Sequence, residues 1–243
     1  AMENTKAFNS KWWAEHQPAT KVVKEALAFH EQGNMLQKER EMWVKALEIL
    51  IEALGDDHPT VAIILIRIGC TLAAQGHLTK AMEKYQRALE IQQEKLAKND
   101  LATADTYARI GCVFLQQEDF EKSEEMYRKA LATAEKAQAS DQPFLSRIYS
   151  NLAVCLRERG KVAEAVKILR RALGTKLKHY GDDHPTVAKD YNDIGVLLME
   201  QDRLQEAEIM FTKALGIVED TSEPFNVALA SSILTNQALL HIR

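Results

Sequence analysis

Several features that would point to a class of protein are missing from this chain of 243 residues. No stretch approaches 18 consecutive apolar residues, so no membrane-spanning helix and no membrane partner are predicted. The first residues, AMENTKAFNSKWW, lack the apolar run of a signal peptide, which favours a cytoplasmic location. The 3 cysteines are too few and odd in number for a disulfide framework. A net charge of -4 gives no reason to expect nucleic acid as a partner.

Motifs of catalysis and metal binding are also missing. The sequence contains no P-loop, GxSxG, HExxH or glycine-rich dinucleotide turn, and its 7 histidines are scattered. Asp57 and His58 are metal-ligating types, but they are adjacent on one turn, without partners at zinc spacing. We therefore predict no catalytic residue, no metal site and no cofactor, and conclude that the chain is not an enzyme.

The sequence does contain segments that recur at a regular spacing. RIGC stands at 67–70 and again at 109–112, a separation of 42 residues. GDDHPTVA stands at 55–62 and at 181–188, a separation of 126, which is three times 42. Internal repeats of this length are typical of arrays in which each unit stacks on its neighbours.

Four copies of the unit share one skeleton. Each has a small residue, a large apolar residue, a glycine or polar residue, a second small residue, an apolar or aromatic residue, and an alanine. These six positions are Gly69, Gly111, Ala153 and Gly195; Leu72, Phe114, Leu156 and Leu198; Gly76, Glu118, Gly160 and Asp202; Ala81, Ser123, Ala165 and Ala207; Tyr85, Tyr127, Leu169 and Phe211; and Ala88, Ala130, Ala172 and Ala214.

Each unit is predicted to form two amphipathic helices. Leu65, Tyr107, Tyr149 and Tyr191 lie four positions before the first small residue, which completes an apolar stripe on the first helix. Pro59 and Pro185 suit the first helical position, with His58 and His184 as caps. The small residues allow close approach of the paired helices. The predicted fold is all-α, a right-handed α-solenoid of stacked antiparallel helix pairs.

This pattern resembles the tetratricopeptide repeat, with about two extra helical turns per unit. The longer unit, the GDDHPTVA opening and the segments YSNLAVCLRERG and YNDIGVLLMEQD are similar to the tetratricopeptide domain of the kinesin light chain family. The resemblance implies that the first helices line a peptide groove in which asparagines at Asn151 and Asn192 hold a peptide backbone. Sustained heptads are absent, so kinesin heavy chain is not supported as a partner.

The predicted organisation is an N-terminal helical extension and one array. Residues 1–19 form the extension, and Trp12 and Trp13 are expected to cover the apolar end of the array. The array occupies residues 20–243. Its repeats are predicted at 20–54, 59–98, 101–140, 143–180 and 185–220, with a final helix at 225–242 whose lack of a partner helix suggests a piece of a longer protein.

Helix geometry also indicates which side chains face the groove. If Tyr107, Gly111 and Phe114 face the core, residues half a turn away point outward. By the period, the outward positions are Ile63, Arg67, Cys70 and Ala74; Asp105, Arg109, Cys112 and Gln116; Arg147, Asn151, Val154 and Glu158; and Lys189, Asp193, Val196 and Glu200, flanked by Ser150, Arg157, Asn192 and Met199. The predicted peptide-binding residues are Arg67, Arg109, Arg147, Asn151, Lys189 and Asn192.

Two functions follow from the sequence. The first is a scaffold or adaptor that binds a peptide segment of a partner protein, of the kind that attaches cargo to a motor. An acidic peptide is the first choice, because guanidinium groups bond strongly to carboxylates. The alternative is an assembly or regulatory module that packs through its ends or convex face. Each arginine could equally well bridge two repeats.

Overall fold

The computed structural model describes residues 17–31, 36–97, 100–137, 143–218 and 224–242. All regular secondary structure within these ranges is α-helical, as predicted. The helices are α1 (Gln17–Glu31), α2 (Leu36–Leu54), α3 (Pro59–Ala74), α4 (Leu78–Lys95), α5 (Leu101–Gln116), α6 (Phe120–Lys136), α7 (Pro143–Glu158), α8 (Val162–Tyr180), α9 (Pro185–Glu200), α10 (Leu204–Val218) and α11 (Pro224–Ile242). Most of the proposed N-terminal extension, with Trp12 and Trp13, lies outside the described residues.

The chain forms two compact units, Ala1–Val113 and Phe114–Arg243. In unit 1, α1 packs on α2, α2 on α3, and α3 on α4. In unit 2, each helix from α6 to α11 packs on the next, and α9 also contacts α11. Contacts between helices adjacent in sequence are the signature of a repeat array, because no single repeat has a private core.

The two GDDHPTVA segments begin helices in the same way. His58 and His184 stand immediately before α3 and α9, and their side chains accept hydrogen bonds from the backbone N–H groups of Thr60 and Thr186. The prolines that follow occupy the start of each helix, where a missing N–H leaves no bond unmade. The predicted caps are therefore confirmed, and they account for the histidines of both segments.

The turn inside each repeat requires one residue with positive φ. Gly76 and Gly160 have φ values of 78° and 73°, while Glu118 and Asp202 have φ values of 60°. These are the four equivalent positions of the repeat skeleton. The left-handed conformation is easy for glycine and strained for glutamate, so the backbone of the turn is maintained even where the side chain is unfavourable.

The small, aromatic and alanine positions of the repeat skeleton form part of the core. A Cβ atom on Gly69 would lie 2.5 Å from the ring of Tyr85, and one on Gly195 would lie 2.6 Å from the ring of Phe211. Glycine thus allows an aromatic ring of the second helix to lie directly on the first. The alanines at the last skeleton position are all fully buried: Ala88, Ala130, Ala172 and Ala214.

Electrostatic contacts also join helices within unit 2. Asp190 of α9 and Lys176 of α8 form an ion pair of 2.7 Å, and the Asp190 side chain is only 1% exposed. Burial raises the pKa of Asp190 in spite of this lysine. Within the described ranges, no helix is both long and apolar enough to cross a membrane.

Candidate peptide-binding surfaces

A groove of about 320 Å³ opens in unit 2 between α7 and α9. Its apolar lining combines residues of α7 and α9 with one residue of α8. The lining residues are Ala153, Val154, Leu169, Val196 and Leu197, with Ser150, Arg157, Lys189 and Asp193 as the polar ones. Val154 is 45% exposed, whereas Leu169 is 3% exposed and forms part of the floor. We call this the α7/α9 groove.

The repeat skeleton has a different composition at the groove. The position of Leu169 is aromatic in the other three units, as Tyr85, Tyr127 and Phe211. In this unit Ala153 and Leu169 replace the glycine and the aromatic residue of the other units, and both line the groove. The sequence signal was therefore present, but the repeat pattern alone marks Leu169 only as a core residue.

The charged side chains at the groove have partners within unit 2. Lys189 Nζ donates to Asp193 Oδ2 at 2.6 Å, and Arg157 Nε donates to Glu200 Oε1 at 2.8 Å. The hydrogen bond to Glu200 holds the pKa of Arg157 above its ordinary value. Because each of these cations faces a carboxylate, the groove combines an apolar floor with locally balanced charge.

The two predicted asparagines form contacts inside the fold. Asn151 is half-buried, and its Nδ2 donates to the hydroxyl of Tyr127 at 3.1 Å. Asn192 is 6% exposed, and its Oδ1 accepts from Asn236 Nδ2 of α11 at 2.9 Å. The Asn192 carbonyl oxygen therefore already accepts one hydrogen bond from within unit 2. The peptide-holding role of both residues remains a prediction.

The predicted arginines differ in their surroundings. In unit 1, Arg67 is half-buried on α3 and makes no ion pair or side-chain hydrogen bond with another described residue. Arg109 of α5 donates through Nε to Asp105 Oδ2 at 2.7 Å and through Nη1 to Cys70 Sγ at 2.6 Å. In unit 2, Arg147 is exposed on α7. Arg109 thus bridges two helices of its own unit, which is the alternative role predicted for these arginines.

The surroundings of Arg109 keep it charged. Burial opposes the charge, but attraction to Asp105 and Cys70 outweighs burial, so the pKa of Arg109 lies above its ordinary value. Tyr85 lies in the same cluster, with its hydroxyl 3.5 Å from Cys70 Sγ, and burial raises its pKa. This cluster joins α3, α4 and α5 within unit 1.

Nothing in this arrangement suggests a metal centre. Across the described part of the chain, no three His, Cys, Asp or Glu side chains are grouped so that they could hold a metal ion. The repeated Asp-Asp-His segment is engaged otherwise: His58 caps α3, Asp57 pairs with Lys95, and Asp56 lies 3.5 Å from Arg87.

Stacked helix pairs with a small residue opposite an aromatic ring define a helical repeat protein. Family models described as tetratricopeptide repeat match residues 19–94, 78–136, 144–220 and 109–178. The chain therefore belongs to the tetratricopeptide repeat family, whose members are generally protein-interaction scaffolds. No curated protein matches the sequence significantly.

Solved structures of kinesin light chain-like proteins are among the similar folds. BtubC (BKLC) from P. vanneervenii is 20% identical, with a TM-score of 0.69 over 96% of this chain and 84% of that chain. A kinesin light chain-like protein of Podosopora anserina with nearly identical TPR-like repeats is 18% identical, with a TM-score of 0.67 over 88% and 98% of the two chains. YrrB, described as a TPR protein with an unusual peptide-binding site, is 16% identical, with a TM-score of 0.55 over 91% and 97%.

Proposed function

We propose that the protein is a peptide-binding adaptor, and that the α7/α9 groove of unit 2 receives an extended segment of a partner protein. The observation that carries the proposal is the apolar floor beneath an accessible rim: Leu169 is 3% exposed while Val154 at its edge is 45% exposed. Concave apolar sites with a few polar groups are the usual form of a binding pocket. The peptide-binding site of YrrB is a property of that protein, and it supports the proposal only by analogy.

The size of the groove indicates what it would hold. A volume of about 320 Å³ is at the lower end of ligand pockets, which suits one large apolar side chain of a peptide rather than a whole small molecule. The neighbouring pairs Lys189–Asp193 and Arg157–Glu200 would then face the peptide backbone and flanking polar residues. Affinity would come mainly from the buried apolar side chain.

The test begins with peptides selected from a random displayed library against the whole chain. We expect Val154→Asp to weaken binding of the selected peptides at least about tenfold, because a carboxylate at the edge of an apolar floor is costly to desolvate. Ile209→Asp is the matched control, since Ile209 is an exposed aliphatic residue of unit 2 on α10 and does not line the groove. Isothermal titration calorimetry measures both affinities.

A double variant tests the groove without adding charge. Ala153→Gly with Leu169→Phe copies the Gly195–Phe211 arrangement of the next repeat, in which the ring lies on the glycine. It should fill the α7/α9 groove and reduce peptide affinity while the helices remain folded by circular dichroism. Unchanged affinity in this variant and in Val154→Asp would move the binding site out of the groove.

An acidic ligand is a finer proposal, and it concerns unit 1. Arg67 supports it, because its guanidinium has no carboxylate partner among the described residues, unlike Arg109. Arg67→Glu should weaken binding of an acidic peptide roughly tenfold or more where the contact is desolvated. If library selection yields no acidic peptides, or if Arg67→Glu binds them as well as the parent does, this part of the proposal fails. Cargo attachment and a cytoplasmic location also remain proposals.

A further inference from the structure

The helix α11 has an apolar face that no described residue covers. Among the described residues it carries four exposed large aliphatic side chains: Val227 at 58%, Leu234 at 53%, Leu239 at 49% and Ile242 at 81%. At 100° per residue, Val227, Leu234 and Ile242 lie on one side of the helix, with the exposed Ser231 and Ala238 between them. We call these five residues the α11 strip.

The other side of α11 is buried in unit 2. Asn226, Ile233 and Leu240 are 3%, 0% and 7% exposed and lie nearly opposite the α11 strip. This buried side packs on α9 and α10. The helix is therefore held firmly in the array, and its exposed strip is a fixed surface.

The preceding repeat shows what such a strip can receive. There, α9 packs against α10 through Gly195, on which the ring of Phe211 lies. Ser231 and Ala238 provide comparable small positions on α11 between larger aliphatic residues. A helix that packed on the α11 strip would continue the helix-pair packing already present in unit 2.

The chemistry of α11 favours a second copy of itself as that helix. The 19 residues PFNVALASSILTNQALLHI contain no Asp, Glu, Lys or Arg. In a two-fold symmetric contact the same strip of both copies forms the interface, so a strip with charges of one sign would repel itself and an uncharged one does not. A two-fold axis allows either a parallel or an antiparallel pair of helices, and the antiparallel pair matches the orientation of the helix pair in each repeat.

From these observations we propose that the protein self-associates through α11, which packs antiparallel on α11 of a second copy. A helix of this length is about 28 Å long, and a strip about 10 Å wide covers roughly 300 Å² on each copy. The largest apolar patch of a typical monomer has about this size and is often functional, but it is smaller than the ~800 Å² per partner of a stable complex. The dimer is therefore reversible and forms at high protein concentration.

Sedimentation equilibrium of the whole chain tests the proposal. Between about 5 and about 500 µM, the mass should rise from 27.4 kDa toward that of a dimer. Leu234→Glu should weaken self-association at least about tenfold, because the charge occurs twice in a two-fold interface. Ile51→Glu, on the exposed side of α2 in unit 1, is the matched control and should leave the mass distribution unchanged.

Three results would overturn the proposal. They are a monomer at every concentration, a dimer that Leu234→Glu does not weaken, and equal weakening by Ile51→Glu. Val227→Glu provides a second variant should Leu234→Glu lose its helical circular dichroism. If the parent stays monomeric and a helical partner from another protein binds it but not Leu234→Glu, the α11 strip serves a foreign helix and the second copy is excluded.

Discussion

At the scale of single residues, the absence of a side chain matters as much as its presence. Gly195 has no Cβ, and a methyl group there would meet the ring of Phe211, which is fully buried. The ring cannot move aside into solvent, because it is enclosed by the core. One atom therefore decides whether α9 and α10 can pack at their observed separation.

We predict that Gly195→Ala destabilises the protein by about 1–3 kcal/mol, since the strain of overpacking exceeds the gain in helix propensity. Gly216→Ala is the control on α10, where an added Cβ meets nothing within 4 Å. That change should stabilise the helix by about 0.5–1 kcal/mol. Urea denaturation of both variants measures the difference, and equal stabilisation by the two would show that the helices can separate at no cost.

At the scale of helices, α6 is fixed to its neighbours by a buried carboxylate. Glu124 has a side chain only 6% exposed, and it accepts from Arg128 of α6 at 2.8 Å and from Arg159 at 2.5 Å. Lys161, just before α8, donates to the same carboxylate at 3.1 Å. Burial raises the pKa of Glu124, but the hydrogen bonds from Arg128 and Lys161 outweigh it and hold the pKa below its ordinary value.

A lowered pKa in the folded state means that Glu124 stabilises the fold when it is ionised. This contribution is present above the unfolded-state pKa of about 4.5 and is lost as the pH falls through the lower folded-state pKa. Glu124→Gln should therefore cost about 1–3 kcal/mol near pH 7, and the cost should shrink below about pH 4.

Glu125→Gln is the matched control, because Glu125 pairs with Lys129 at 2.7 Å on the exposed side of the same helix, and its side chain is 57% exposed. An exposed pair contributes less than about 1 kcal/mol. Thermal melting of the parent and both variants across this pH range measures the effect. A loss in Glu124→Gln that is the same at every pH would mean that packing, and not charge, holds α6 to its neighbours.

At the scale of the whole molecule, the stability of a repeat array is approximately the sum of the intrinsic stabilities of the repeats and of the contacts between neighbouring repeats. Ala130 is fully buried on α6, at a position that is alanine in all four aligned units. Ala130→Arg should lower the free energy of unfolding by about 2 kcal/mol or more, because a long charged side chain replaces a methyl group in the core. Thermal melting followed by circular dichroism measures the loss.

Lys129→Arg provides the control for Ala130→Arg, since the neighbouring Lys129 side chain is 48% exposed. This variant should have the same melting temperature as the parent. If Ala130→Arg also melted within about a degree of the parent, the array would have to accommodate an arginine by moving α6 as a body.

The sequence by itself determined the repeating part of this protein. Its helical class, the caps at His58 and His184 and the close approach of paired helices at small residues all follow from local chemistry that recurs with the period. Such features depend on residues a few positions apart, or on equivalent positions of consecutive repeats. The order of the amino acids is therefore enough to infer them.

Only the tertiary structure decided which helices form a groove and which helix exposes an apolar face. It placed a groove above Leu169, paired Arg157 with Glu200 across 43 positions of sequence, and turned the apolar side chains of α11 outward. The arginine at position 109 likewise contacts Cys70 of another helix. These outcomes depend on which long side chains meet across helices and on how side chains fill the space between them. The repeat pattern alone gives neither the distances between side chains nor the volumes that they leave empty.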